Sequence, residues 1–147
     1  MNDVANETSR TKIAVDSLPA IQLFRTSSLC DQDVYNHRDE KLGQLHDLVV
    51  ELPAGLVSFV IMSNGGFWGI GEKLLAIPWK ALTLDTHRKR FVLDISLDRL
   101  KSAPDFDNGN WPDLNDPAWM SDIYGYYGVG HPRPQKAVRH GPEKAQQ

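Results

Sequence analysis

The run LGQLHDLVVELPAGLVSFVIM, residues 42–62, decides how this chain is read. Its first part, Leu42–Leu52, is rich in Leu and Val and stops at Pro53-Ala54-Gly55. Proline fixes φ and glycine admits positive φ, so that triplet suits a tight reversal. The second part, Leu56–Met62, is the longest apolar-leaning piece of the chain and places Val57, Phe59 and Ile61 on one face at period two. Two strands and the turn between them make a hairpin.

Working outward, the same grammar repeats. Upstream, Leu23–Arg25 and Asp33–Asn36 read as short strands, with a charged turn at His37-Arg38-Asp39-Glu40-Lys41. Downstream, a glycine-rich loop (Gly65–Gly71) leads to Leu74–Ile77 and then to Leu82–Leu84. A basic turn, Thr86–Lys89, precedes Phe91–Ile95, where Phe91, Leu93 and Ile95 alternate. Six or seven short strands with hairpin-length connections and no βαβ spacing predict a mainly β fold, a small antiparallel barrel or closed sandwich. Ser96–Lys101 follows as a helical turn capped by Ser96, and Ala103–Asn115 is an acidic segment containing Pro and Asn. Asp116-Pro117 has the form of an N-cap with proline at the first helical position, and Gly128 that of a C-terminal stop. Within that helix Trp119, Ile123, Tyr126 and Tyr127 fall at i, i+4, i+7 and i+8 and form one aromatic face. The expected organisation is a flexible leader over 1–20, a barrel domain over 21–102, an acidic aromatic extension with a short helix over 103–128, and a disordered basic tail over 129–147.

Composition narrows the function classes. With 147 residues, 41% apolar and 24% charged, the chain has room for one globular domain plus tails. The net charge of −3 argues against a general nucleic-acid binder, whose phosphate affinity needs concentrated Lys and Arg. The charge is uneven. Arg133, Lys136, Arg139 and Lys144 oppose only Glu143 in the tail, whereas 103–128 carries Asp105, Asp107, Asp113, Asp116 and Asp122 with no Lys or Arg. Cys30 is the single cysteine, so no intrachain disulfide and no cysteine cage for zinc can form, which fits a reducing, cytoplasmic compartment. Met1–Asp16 has no apolar core of the kind a secretory signal needs, and no run approaches the roughly 20 apolar residues that span a bilayer, so neither export nor membrane insertion is expected.

The strands carry a family signature. Asp33-Val34-Tyr35-Asn36, Glu40-Lys41-Leu42-Gly43 and Asp47-Leu48-Val49-Val50 resemble the opening hairpin of the PRC-barrel family. Gly65-Gly66-Phe67-Trp68-Gly69-Ile70-Gly71-Glu72-Lys73, followed by Ala76-Ile77-Pro78-Trp79, resembles its central loop and next strand. The likeness covers residues 23–100. Pro104-Asp105-Phe106, and Asn110-Trp111-Pro112-Asp113 on to Tyr127, resemble the C-terminal extension of a bacterial stand-alone subgroup. The resemblance implies a compact, mainly antiparallel β-barrel serving protein interaction, with no shared catalytic residues. Members include the H subunit of photosynthetic reaction centres and a ribosome-maturation factor. This chain shows neither the transmembrane helix of the first nor the separate N-terminal domain of the second.

Enzyme and ligand motifs fail on inspection. Gly66 and Gly71 are spaced as in a P-loop, but Glu72 stands where Lys is needed and no Ser or Thr follows to hold magnesium. Gly65, Gly66, Gly69 and Gly71 therefore read as a structural loop that turns Phe67 and Trp68 toward the barrel or a partner. An EF-hand frame from Asp105 puts Gly109 and Asn110 in reversed order, and Pro112 interrupts it. His37, His46, His87, His131 and His140 form no i, i+4 pair, and Cys30 has no activating base nearby in sequence. The expectation is a non-catalytic adaptor with no cofactor and no metal, self-associating as a homodimer and binding a protein of unknown identity. Its candidate interaction surface is Phe67, Trp68, Trp111, Trp119, Tyr124, Tyr126 and Tyr127, since Trp and Tyr are frequent binding anchors; the aromatic helix face either packs on the flank of its own barrel and completes the core, or meets a partner or a second copy. Two alternatives stand beside it. One is an RNA- or ribosome-associated factor resting on Arg88-Lys89-Arg90 and the basic tail; the other is a peripheral factor of a photosynthetic or other membrane complex.

Overall fold

The structure is a computed structural model that describes residues 21–64 and 72–130. The leader, the loop Gly65–Gly71 with Phe67 and Trp68, and the tail from His131 onward lie outside the described residues. The expected hairpin forms from β2 (Lys41–Glu51) and β3 (Leu56–Ser63), joined through Pro53-Ala54-Gly55, where Gly55 takes φ +76°. A positive φ costs a side chain-bearing residue strain that glycine avoids. Before it comes β1 (Asp33–Tyr35), and after it β4 (Lys73–Pro78), β5 (Leu82–Asp85), β6 (Arg90–Leu93) and the two-residue β7 (Phe106–Asp107). Three helices punctuate the described residues: α1 (Thr26–Leu29), α2 (Leu97–Lys101) and α3 (Pro117–Tyr127). A 3-10 turn, Trp79–Ala81, links β4 to β5.

Three expectations need correction. The seven strands form one sheet in the order β5-β6-β1-β2-β3-β4-β7, and its ends, β5 and β7, do not pair, so the sheet is open rather than a closed barrel. The physical reason lies in strand length: β7 offers only two residues for pairing, and both go to β4 (Lys73↔Asp107 and Leu74↔Phe106). Nor is the sheet wholly antiparallel, because β1 inserts between β2 and β6 and runs parallel to β6. Leu23–Arg25 is not a strand either: all three residues are exposed, Leu23 by 92%, so they bring no side chain to a core that would hold them against the sheet.

Period-two alternation in β3 and β4 gives the sheet two apolar faces. Val60, Met62, Leu75 and Ile77 point into a first core with Val34, Leu42, Leu45, Phe91, Leu93 and Ile95. Phe59, Ile61, Leu74 and Ala76 point into a second core on the other face. The first core is closed by Leu29 from α1, Leu100 from α2, and Ala103. The second is covered by α3 through Ile123 and Tyr124. Close approach is enforced at Gly43, where an added Cβ would sit 2.3 Å from the Ser63 carbonyl oxygen.

Candidate interaction surface

The C-terminal extension forms as its capping residues dictate. Asp116 adopts extended φ and ψ, and its carboxylate accepts a hydrogen bond from the Ala118 N–H at 3.0 Å, with Pro117 opening the helix. At the other end Gly128 enters the left-handed region at φ +70°, and the Val129 N–H donates to the Tyr124 carbonyl at 3.1 Å. These bonds satisfy backbone groups that a helix end leaves without partners. Lys73 draws the entry to the extension onto β4 through a 3.0 Å ion pair with Asp107. Asp107 in turn lifts the Lys73 ammonium above its usual pKa, by hydrogen bond first and by charge second.

The aromatic residues predicted to form a surface are mostly turned inward. The Trp119 and Tyr124 rings lie 5.3 and 5.4 Å from Phe59, and Tyr124 is buried. Burial, followed by the nearby Glu51 charge, raises the Tyr124 phenol above its ordinary pKa. Tyr126 and Tyr127 meet edge to face at 5.3 Å. The Arg99 guanidinium of α2 lies 4.3 Å above the Tyr126 ring and donates to the Tyr126 carbonyl at 2.7 Å, while the Tyr126 hydroxyl donates back to the Arg99 carbonyl. This clasp ties α3 to α2. The Tyr127 hydroxyl is buried and, among the described residues, has no hydrogen-bond partner; burial raises its pKa strongly. Trp111 differs from the others. It stacks on Phe106 at 5.0 Å and its indole N–H donates to Asn108 Oδ1 at 3.2 Å, yet it remains 36% exposed. Asp105, Asp113, Asp116 and Asp122 of the same extension are exposed. The extension therefore docks an aromatic inner face on its own sheet and leaves Trp111 and four aspartates open to solvent.

Sequence reasoning missed two other surfaces. One is the tip of the β2–β3 hairpin, where Val50, Leu52 and Leu56 are exposed around the turn, Leu52 by 79%. The other is a cleft of about 570 Å³ between the β1–β2 turn, the 3-10 turn, α2 and the end of α3. Asn36 builds its wall. The buried Asn36 side chain donates to the Ile95 carbonyl at 3.1 Å and to Glu40 Oε1 at 2.7 Å, and accepts from the Arg38 and Glu40 N–H groups. These bonds hold His37 and Arg38 at the rim, facing Lys80 and Arg99, with Ala81, Ile95 and Tyr127 among the walls. His37 is 3.9 Å from Asp94, whereas Arg38, Lys80 and Arg99 have no carboxylate partner among the described residues. The signal for this site was hidden because its members come from four separate stretches of chain, 36–38, 80–81, 93–99 and 126–129. By contrast, the basic run Arg88-Lys89-Arg90 is partly neutralised, since Arg88 and Arg90 both pair with Asp39. Those two cations hold the Asp39 carboxyl below its usual pKa, the hydrogen bond from Arg90 first.

Among the described residues there is no group of three or more His, Cys, Asp or Glu side chains placed to hold a metal ion, and no helix is long and apolar enough to cross a membrane. No curated protein matches the chain. The family model described as the PRC-barrel domain matches residues 22–100, more than half of the 147 residues.

Proposed function

Because the chain belongs to the PRC-barrel family, we propose that it is a non-catalytic protein-interaction module that self-associates as a homodimer through the outer face of its C-terminal extension. The observation that carries this reading is the composition of that face. The extension exposes four aspartates together with the half-wet Trp111, and no Lys or Arg lies anywhere in 103–128. Such a face combines an apolar anchor, which supplies affinity when desolvated, with a charged rim that selects and orients a basic partner. The other aromatic groups of the extension support it from behind by fixing α3 on the sheet.

The test is mass by light scattering after size exclusion at tens of micromolar, on the full chain and on Trp111→Ala. The wild type runs at dimer mass and the variant shifts toward monomer. Trp111 lies outside both buried cores, so circular dichroism of the variant stays native. A monomeric wild type refutes self-association.

A further inference from the structure

We propose that the cationic cleft between the β1–β2 turn, the 3-10 turn and α2 receives the acidic Trp111 segment of a second copy of this chain. The inference rests on the homodimer reading above and names its contact. Three observations on separate elements converge on it. First, Arg38, Lys80 and Arg99 line one cleft without a carboxylate partner among the described residues, although the chain as a whole is at −3. The only acid in the lining, Asp94, faces His37 at 3.9 Å. Second, the surface of matching sign is on the same chain. Asp105, Asp113, Asp116 and Asp122 are exposed, and the charge of 103–128 is contributed by aspartate alone. Third, the shapes suit each other: the cleft combines a polar rim with apolar walls from Ala81, Ile95 and Tyr127, and its volume of about 570 Å³ accepts an aromatic anchor.

A segment cannot fill the cleft of its own chain while β7 is paired to β4 and Lys73 holds Asp107, so the fit is between copies. In a two-fold dimer the contact occurs twice, cleft to segment and segment to cleft, which doubles the charge pairing without a new surface. A nucleic acid is a poorer occupant. Three cations offer few phosphate contacts, and the aspartates of the extension repel a polyanion.

Charge reversal tests the pairing on the full chain. Arg38→Glu with Lys80→Glu inverts the cleft, and Asp105→Lys with Asp113→Lys inverts the segment; Arg99 is spared because it clasps Tyr126. All four positions are exposed, and circular dichroism checks the fold of each variant. Each double variant alone weakens the dimer roughly tenfold or more, the scale of like charges facing across an interface. An equimolar mixture of the two restores dimer mass, because both contacts then join opposite charges. The wild-type dimer also loosens as salt rises from 50 to 500 mM, which shortens the reach of charge roughly threefold. A wild type that is monomeric refutes the homodimer reading itself. A wild-type dimer that survives both reversals, or a mixture that fails to recover, overturns only the cleft assignment and leaves that reading standing.

Discussion

Replacing Ile123 with alanine tests whether α3 is part of the fold or an ornament on it. Ile123 is 2% exposed and packs with Phe59, Ile61, Leu74 and Ala76, on the face of the sheet opposite the larger core. The substitution removes three carbons, worth about 2.4 kcal/mol at about 0.8 kcal/mol per buried methylene. The cavity left beside Phe59 adds to this, which places the total at about 3–4 kcal/mol, inside the span of about 2–5 found for such truncations. That is a large share of the about 5–15 kcal/mol that stabilises a typical domain. The assay is equilibrium urea unfolding followed by far-ultraviolet circular dichroism and by tryptophan fluorescence. At a slope of about 1–3 kcal/mol/M the midpoint falls by roughly 1–4 M. Asp122→Ala is the control, since its side chain is exposed on the same helix and the change stays within about 0.5 kcal/mol. If Ile123→Ala costs no more than Asp122→Ala, α3 does not seal the second core and the account of that face is wrong.

Other outcomes follow from single contacts. Gly43→Ala brings a Cβ to 2.3 Å from the Ser63 carbonyl, so strands β2 and β3 must part. The cost, about 1–3 kcal/mol, outweighs the gain of about 0.4–1 kcal/mol from a stiffer unfolded chain, and a raised melting temperature would refute it. Tyr127→Phe removes a buried hydroxyl with no partner among the described residues, so stability at pH 7 changes by less than about 1 kcal/mol. Burial raises the folded-state pKa of Tyr127 above the unfolded value near 10. Its contribution is thus complete below about pH 10 and is lost as pH rises through the folded value. Thermal melts from pH 7 to 11 then show a shallower alkaline decline for Tyr127→Phe than for the wild type, and equal slopes would contradict the burial argument. Leu52→Ser, at a 79% exposed position on the hairpin tip, leaves urea stability within about 0.5 kcal/mol. Should it abolish the dimer instead, the tip and not the Trp111 face is the interface.

Much of this architecture was readable from local chemistry. The Pro53-Ala54-Gly55 reversal, the Ser96 cap that accepts from the Arg99 N–H, and the Asp116-Pro117 start with its Gly128 stop each depend on a few adjacent residues. Sheet closure and strand neighbours do not. The parallel meeting of β1 with β6 joins Val34 to Phe91 across more than fifty residues, and no periodicity in either strand encodes its partner. The cleft is illegible for the same reason: Arg38, Lys80 and Arg99 become neighbours only after the sheet has formed.

The docking of the extension on the strands, one of the two readings its aromatic face allowed, has a cause in the strand sequences themselves. A half-buried strand alternates buried and partly exposed residues, as Phe91 and Leu93 do against Arg90 and Val92 at the edge of the first core. Phe59-Val60-Ile61-Met62 and Leu74-Leu75-Ala76-Ile77 do not alternate; they are apolar at both parities. A strand of that kind is buried on both faces, so one interior cannot account for it and a second cover is required. Among the described residues, the helix that packs on that face is the one that carries Trp119, Ile123 and Tyr124. Its inner face is therefore committed to Phe59, Ile61, Leu74 and Ala76, and the acidic side is the one the sheet does not need.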